Sequence, residues 1–251
     1  MVPILVLVLL SVLMGIGLLL IFRWTVDPEV VRARRSLVWA HLMELRLFTD
    51  EPSLIWKAHG DLIRANLRYM AVMLKPALFA AVPMLLVLSL MDVYFGKSPL
   101  QPGEATLVTV QLSDAARSPG PAPVLTAAEG IAVETPAVRQ VDVGRVGWRV
   151  RAQSAGTHVL KVALPDEEIS KTIEVGPGFR AIAVRRVRSP WEFVLNPGES
   201  LLPSSSAEWI EVKYESASVD ILSLKLHWLI WCFLIMGVTM LMLRSRFNVT
   251  F

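Results

Sequence analysis

The sequence contains little cysteine and little charge. Cys232 is the single cysteine among 251 residues, which excludes an intramolecular disulfide and any zinc or iron–sulfur site built from several cysteines of this chain. Charged residues make up 19% of the chain and hydrophobic residues 54%, whereas soluble domains average roughly 25% and 45–50%. A chain this apolar has ample surface to bury, so disorder is excluded and a membrane protein is predicted.

The motifs of common enzymes are also missing. The sequence has no phosphate-binding glycine loop, no G-x-S-x-G elbow and no HExxH. The acidic run 166–168 favours a turn between strands over a calcium loop. A net charge of +3 is too mild to imply nucleic acid as a partner. We therefore expect no enzyme activity and no cofactor. The four histidines include no pair at metal-ligand spacing, so no metal site is predicted. They are His41, His59, His158 and His227.

Three long apolar runs each predict a membrane-spanning helix, since a bilayer core takes about 20 apolar residues in a helix. The first is 2–22, within a segment 1–24 that ends with Arg23 and Trp24. The second and third spans are placed at 76–95 and 224–244. A cleaved signal peptide is the alternative for the first run, but no basic residue precedes it and no A-x-A-like site follows.

Basic residues near the spans predict the orientation. Segment 23–75 holds nine basic and six acidic residues, while 92–225 holds 14 basic and 16 acidic ones. Because basic loops stay on the cytoplasmic side, we expect segments 25–75 and 245–251 in the cytoplasm. The N-terminus and the domain 96–223 then lie outside, with the protein in the plasma (inner) membrane and 96–223 in the periplasm. Membrane lipids and other membrane proteins are the expected partners.

Segment 25–75 has the pattern of a helical hairpin. Asp27-Pro28-Glu29 is a strong helix start, with an N-cap acid and proline at the first helical position. Residues 49–53 separate this helix from a second one, which continues into the second span. The apolar positions at helical spacing are Val31, Val38, Leu42, Leu45 and Phe48, then Ile55, Leu62, Tyr69 and Met73. We interpret this stripe as the seam between the helices, and contact of the basic hairpin with anionic lipid or a cytoplasmic partner remains the alternative.

Segment 96–223 has the pattern of a β-sandwich, because short alternating runs are separated by proline, glycine and serine. Trp148 heads one alternating strand and is the expected core anchor. Loops that we expect to be mobile cover 113–123 and 196–207. The run 146–164 resembles the strand–turn–strand of immunoglobulin-like domains. The predicted strands are 105–112, 124–127, 131–135, 147–152, 158–164, 169–175, 181–187 and 209–214.

The predicted fold class is therefore an integral membrane α-helical protein with three spans, a cytoplasmic helical hairpin and an all-β immunoglobulin-like sandwich ectodomain. The centres of the spans hold no charged residue, which argues against a transporter, pump or channel. Ser11 and Gly15 in the first span have the small-xxx-small spacing that lets helices approach closely, so they are candidates for helix packing.

The stretch 66–77, followed by Val82-Pro83-Met84, is a polar, methionine-bearing helix that meets a Lys-Pro step and then a second proline. Together with the order of span, hairpin, span and span, it resembles the YidC/Oxa membrane-insertase superfamily, in particular its three-span members. The resemblance covers 1–95 and 226–243 and implies a role in inserting or assembling membrane proteins. About 130 residues separate the last two spans, and a polar intramembrane groove is missing. A non-catalytic accessory subunit that binds partners through the ectodomain is therefore the alternative.

The resemblance also implies candidate contact residues. Arg23, Arg68 and Lys75 would line a polar entrance at the cytoplasmic side. Met70 and Met73 would add an adaptable apolar surface for client chains. The alternative for the basic residues is that they bind lipid phosphate and set the orientation of the spans.

Overall fold

A computed structural model describes residues 2–47, 52–113, 123–165, 167–221, 223–247 and 249. The chain divides into two compact units, which are residues 1–84 with 229–251 and residues 85–228. Helices and antiparallel sheets are both present, as predicted. The helices are α1 (Val2–Thr25), α2 (Pro28–Leu47), α3 (Pro52–Phe95), α4 (Pro190–Leu195) and α5 (Trp228–Leu243).

Two of these helices, α1 and α3, are long and apolar enough to cross a membrane. Helix α3 continues through Pro76 and Pro83. Helix α5 has 16 residues, which at about 1.5 Å per residue is shorter than a bilayer core of about 30 Å. The third apolar run is shorter as a helix than predicted because residues 224–226 form a β-strand.

Small residues let α1 and α5 pack closely within the first unit. The buried positions of α1 recur every fourth residue at Leu7, Ser11, Gly15 and Leu19. The Ser11 hydroxyl donates to the carbonyl of Leu7 at 2.7 Å, so this buried polar group is satisfied. A Cβ atom built on Gly15 would lie 3.2 Å from the Met236 carbonyl oxygen and 3.2 Å from Thr239 Cβ, which leaves no room for a larger side chain.

Replacing Gly15 with leucine should separate the two helices. We expect Gly15→Leu to cost about 1–3 kcal/mol, the usual cost of overpacking a well-packed site, and to lower the melting temperature of the purified protein in detergent. Gly17→Leu is the matched control, because a Cβ atom there meets nothing within 4 Å. Equal melting temperatures for the two variants would contradict close packing at Gly15.

Helix α2 begins as the sequence predicts. The Glu29 backbone N–H donates to the Asp27 carboxylate at 2.9 Å, and the Val31 N–H donates to the Asp27 carbonyl. Val31 is buried and Val38 is half-buried. Leu42 is 46% exposed, so it lies outside the buried face, contrary to the prediction. The side chains of Leu45, Phe48 and Ile55 lie outside the described residues.

The buried face of α3 is also displaced from its predicted position. Among residues 56–73, Ala58 and Ala65 are the buried ones. Leu62, Tyr69 and Met73, which the spacing predicts as the seam, are only half-buried. Alanine is small and only weakly apolar, so it contributes little to a periodic pattern of large apolar residues. The periodicity therefore identifies the neighbouring row of Leu62, Tyr69 and Met73 instead.

The second unit consists mainly of antiparallel sheet. One sheet has six strands in the order β3-β5-β1-β9-β8, with β4 also paired to β5, and another has the order β2-β6-β7. Strands β10 and β11 form a separate pair. The described strands are β1 (Ala105–Leu112), β2 (Val124–Ala127), β3 (Ile131–Val133), β4 (Val138–Gln140), β5 (Arg145–Ala152), β6 (Gly156–Ala163), β7 (Glu168–Val175), β8 (Arg185–Val187), β9 (Ala207–Val212), β10 (Val219–Ile221) and β11 (Leu224–Leu226).

The two larger sheets share one buried core. Val108, Trp148 and Val150 of the six-stranded sheet belong to the same cluster as Leu160 and Ile173 of the three-stranded sheet. Trp148 is 2% exposed, so the predicted core anchor is confirmed. Inward and outward residues alternate along β1, β5 and β7, as expected for strands with one buried face.

The end of α3 belongs to the β-rich unit. The Ile182 N–H donates to the Val93 carbonyl at 2.7 Å. The ring of Phe95 lies 5.1 Å from that of Phe179 and 6.4 Å from that of Trp228, measured between centroids. These contacts join the last turn of α3, which the sequence assigns to the second span, to the β-rich unit, whose boundary lies at residue 85. The segment 181–184, predicted as strand, supplies this contact, and β8 begins only at residue 185.

Candidate functional site

The candidate contact residues lie at exposed or half-buried positions of the first unit. Arg23, Arg68 and Lys75 are exposed, as is Met70, while Met73 is half-buried. Arg68 and Lys75 lie on the same continuous helix, α3, seven residues apart. At about 100° per residue, seven residues bring two side chains to nearly the same face.

The exposed apolar surface of α3 forms a stripe that extends well beyond the predicted Met70. Its members lie close to one line of the helix, because their spacings are seven, four, three and four residues. At about 100° per residue, this line lies on the side of the helix opposite the buried Ala58 and Ala65. The helical spacing of these apolar residues is visible in the sequence. However, α3 is apolar on two faces, and the periodicity does not show which of the two is buried. The stripe consists of Trp56 (78% exposed), Ile63 (59%), Leu67 (61%), Met70 (58%) and Leu74 (57%).

A basic row borders the apolar stripe. Its four members are spaced by seven, four and seven residues, and each is exposed. Arg64 pairs with Asp61 at 2.9 Å across one helical turn. Helix α3 thus presents an apolar line beside a positively charged line, a combination suited to amphipathic chains or to the boundary of an anionic bilayer. The row consists of Lys57, Arg64, Arg68 and Lys75.

The described residues contain no group of three or more His, Cys, Asp or Glu side chains that could hold a metal ion. Two of the histidines have ordinary local partners. His41 Nδ1 lies 2.9 Å from a Glu44 carboxylate oxygen, and His158 Nε2 lies 2.9 Å from the Ser154 carbonyl oxygen.

The most unusual charged group is Lys171 on β7, whose side chain is fully buried. Its Nζ donates to the Ala183 carbonyl at 2.5 Å and to Glu199 Oε1 at 3.1 Å. Burial lowers the pKa of Lys171, and the Glu199 carboxylate opposes that shift. A buried lysine of lowered pKa is a candidate catalytic group, but here its donors are directed at structural acceptors.

Lys171 and Glu199 belong to a group of side chains that covers the outer edge of β7. Glu199 also accepts from the Thr172 N–H at 2.9 Å. The Tyr214 hydroxyl accepts from the Glu174 N–H at 3.1 Å, and Arg186 donates to the Ser170 carbonyl at 2.7 Å. An open strand edge invites pairing with another chain, so these side chains take the place of a neighbouring strand. The segment 196–207, predicted as a mobile loop, is anchored here by Glu199.

Glu167 anchors the same segment further along. It accepts from the Ser204 hydroxyl and from the Ser206 N–H at 2.8 Å. Burial alone would raise the pKa of Glu167, but the hydrogen bonds from Ser204, Ser205 and Ser206 outweigh it and hold that pKa below the ordinary value. The acidic run 166–168 thus binds a serine turn through Glu167, and Asp166 lies outside the described residues.

Glu167 should make the stability of this domain sensitive to acid. Its folded-state pKa lies below the unfolded value of 4.5, so its contribution is present above that pH and is lost as pH falls through the folded-state pKa. We expect Glu167→Gln to be less stable at neutral pH and to lose less stability on acidification. Urea denaturation at pH 7 and at pH 3 measures both effects. Glu168→Gln, which removes an exposed pair with Lys161, is the control, and a like response from it would contradict this role.

The outer face of the six-stranded sheet carries a groove of about 380 Å³ over Gly147. Arg145 and Arg149 flank it, two residues before and two after the glycine on β5. Arg145 donates from Nε to Gln111 at 3.0 Å, and its guanidinium carbon lies 5.5 Å from the centre of the Trp209 ring. Other residues lining the groove are Leu107, Thr109, Thr135, Val138, Gln140 and Trp148.

The charges around this groove are mainly positive. Arg149 pairs with Glu134 at 3.0 Å, but Glu134 is shared with Arg151. Arg185 lies 4.3 Å from the Trp209 ring centre and pairs with Glu211. Within the part of the chain that the structure describes, the groove itself is lined by two arginines and no carboxylate.

No protein-family model, curated protein or solved structure matches the chain.

Proposed function

We propose that the protein assists the insertion or assembly of membrane proteins through the exposed apolar stripe of α3. The observation that carries the proposal is the exposure of Trp56, Ile63, Leu67, Met70 and Leu74 along one line of the helix. Exposed contiguous apolar surface in a folded protein marks a place where another apolar surface binds. The resemblance to three-span YidC/Oxa insertases supports the same role.

The arrangement suits a client chain that is partly apolar and partly polar. The stripe would cover the apolar side of a client helix, and Met70 would adapt to different shapes because its side chain is unbranched and polarizable. Arg68 and Lys75, on the neighbouring row, would hold polar or acidic groups of the client and lower the cost of their removal from water. Arg23 at the end of α1 would contribute to the same entrance.

The proposed location is the plasma (inner) membrane, with three spans formed by α1, the second half of α3, and α5. The bilayer would thin locally around α5, as it does around spans shorter than its core. Residues 25–75 would then be cytoplasmic, and an immunoglobulin-like sandwich at 96–223 would be periplasmic. Cysteine labelling in intact cells tests this, with Ser36→Cys and Ser154→Cys in a Cys232→Ala background. An impermeant reagent should label position 154 alone, and labelling of position 36 alone would reverse the topology.

The function itself is tested by making the stripe polar. Ile63→Ser, Leu67→Ser and Met70→Ser should leave the protein inserted and abundant, because all three side chains are exposed. In cells depleted of the native protein, this variant should fail to restore the levels of membrane proteins that are lost.

The control for that experiment has three exposed valines of the β-rich unit changed to serine, Val124, Val141 and Val143. It should restore those levels. Photocrosslinking from position 67 should also capture ribosome-bound nascent chains. Full restoration by the stripe variant, without such crosslinks, would reject the proposal.

A second candidate function is that of a non-catalytic subunit whose β-rich unit binds partner domains. The outer sheet face favours it, because tryptophan and arginine, here Trp209, Arg145 and Arg185, are the residues enriched at interface hot spots. Under this proposal the purified protein carries stoichiometric partners, and the stripe variant retains them.

A further inference from the structure

Gly147 occupies a place in β5 where the fold does not require glycine. Its backbone is extended, and it is not among the glycines with positive φ. A Cβ atom built there would meet only the Val108 carbonyl oxygen at 3.7 Å and Thr109 Oγ1 at 4.0 Å, which are ordinary contacts. Glycine within a strand costs roughly 0.5–1 kcal/mol relative to alanine, so this position gives up stability without a steric reason among the residues that the structure describes.

The missing side chain creates the groove. Residues 146 and 148 are buried, so residue 147 points to the outer face. In the sheet, Gly147 pairs with Thr109 on one side and with Val138 on the other, so this row forms the floor of the groove. Glycine in a strand often marks a site where a ligand or another backbone approaches closely.

The walls of the groove define the chemistry of its occupant. Arg145 and Arg149 lie on the same face at roughly 7 Å on either side of Gly147 along the strand, from the rise of a β-strand. Each guanidinium group can bind a carboxylate in charge-assisted hydrogen bonds, so the two arginines match an acidic segment with carboxylates on either side of Gly147. Leu107 and Val138 are 50% and 59% exposed and provide apolar contact next to the arginines.

We propose that the groove over Gly147 is a docking site for an acidic segment of a partner protein, which places carboxylates on Arg145 and Arg149 and an apolar neighbour on Leu107 and Val138. The excess of positive charge on the face argues for an acidic occupant. The exposed apolar residues on both sides of the groove argue for a polypeptide segment over a free small carboxylate. This inference deepens the second candidate function, because it names the partner chemistry of the same sheet face.

The test uses the full-length protein in nanodiscs of phosphatidylcholine. The probe is a fluorescein-labelled hexapeptide of alternating leucine and aspartate, and its counterpart has asparagine in place of aspartate. Fluorescence anisotropy should show binding of the aspartate peptide at least tenfold tighter than that of the asparagine peptide. Absence of binding, or equal binding of both peptides, would overturn the proposal.

Two variants separate the charge of the groove from its shape. Arg145→Glu with Arg149→Glu should weaken binding of the aspartate peptide at least tenfold. Gly147→Val should do the same without loss of thermal stability, because a Cβ atom there makes only ordinary contacts and valine is favoured in strands. Lys161→Glu with Lys225→Glu makes the same change in net charge away from the groove and should bind normally. Full binding by the Gly147→Val variant would overturn the site.

Two further outcomes distinguish the alternatives. Displacement of the peptide by N-acetylaspartate at an equal concentration would show a small-carboxylate site and overturn docking of a segment. If the peptide binds as expected but the purified protein carries no stoichiometric partner, the docking site is supported and the proposed role as a subunit is rejected. Retention of a stoichiometric partner by a Gly147→Val variant that has lost the peptide would place that partner elsewhere.

Discussion

Replacing Glu199 with alanine should destabilise the β-rich unit by about 3–5 kcal/mol, the usual cost of leaving a buried charge without its partner. Lys171 is fully buried and donates to the Glu199 carboxylate at 3.1 Å. The variant would also free the Thr172 N–H at the edge of β7. Urea denaturation followed by circular dichroism in the β-sheet region measures the loss, and hydrogen exchange should show faster exchange at Thr172.

Two variants establish that this loss comes from the pair. Glu192→Ala removes an exposed acid on nearby α4 and should change stability by less than about 0.5 kcal/mol. Lys171→Met with Glu199→Leu removes both charges and should recover most of the loss, since apolar replacement of a buried pair is often neutral. If the double variant were as unstable as Glu199→Ala alone, the hydrogen bonds to the backbone would carry the stability and the ion pair would not.

Because an open edge invites pairing, Glu199→Ala should also promote association between molecules. Light scattering of the purified variant should rise with concentration more steeply than that of the native protein. Together, these results would show that the buried lysine has a structural role, which its lowered pKa alone does not reveal.

The second large effect is expected at Trp148. It is 2% exposed and lies in the core cluster shared by the two larger sheets. Trp148→Ala should cost about 3–5 kcal/mol, because the substitution loses buried apolar area and leaves a cavity that the neighbours fill only in part. Thermal unfolding followed by near-ultraviolet circular dichroism measures the loss.

Trp191→Ala is the matched control for the loss of a tryptophan. Trp191 is 84% exposed on α4, so we expect its removal to change the unfolding free energy by less than about 0.5 kcal/mol. Similar unfolding curves for the two variants would show that Trp148 is not the anchor of the core.

The sequence by itself determined the features that depend on neighbouring residues. Strands β1 and β2 have the predicted bounds. Burial of Trp148 follows from the alternation along β5, and the start of α2 follows from the Asp27 cap. Each of these depends on a repeat of two residues or on a contact within one helical turn, which a sequence displays directly.

Only the tertiary structure decided which of two apolar faces of α3 is buried. Alternation and helical spacing show that a face is apolar, but burial depends on what packs against it. Ala58 and Ala65 are buried, while the bulkier Ile63 and Leu67 remain exposed. The same reason explains why residues 85–95 group with the β-rich unit, since the contacts of Val93 and Phe95 are with residues far along the chain.

The pairing of Lys171 with Glu199 and the groove over Gly147 were likewise decided by the tertiary structure. The two charges are 28 residues apart in sequence, and no local pattern links them. The groove arises because β1 and β4 both pair with β5, which places Thr109 and Val138 on either side of the glycine. Pairing between strands that are distant in sequence selects these neighbours. Each segment has the alternation of a strand by itself, so the pattern of a single sequence does not show which strands pair.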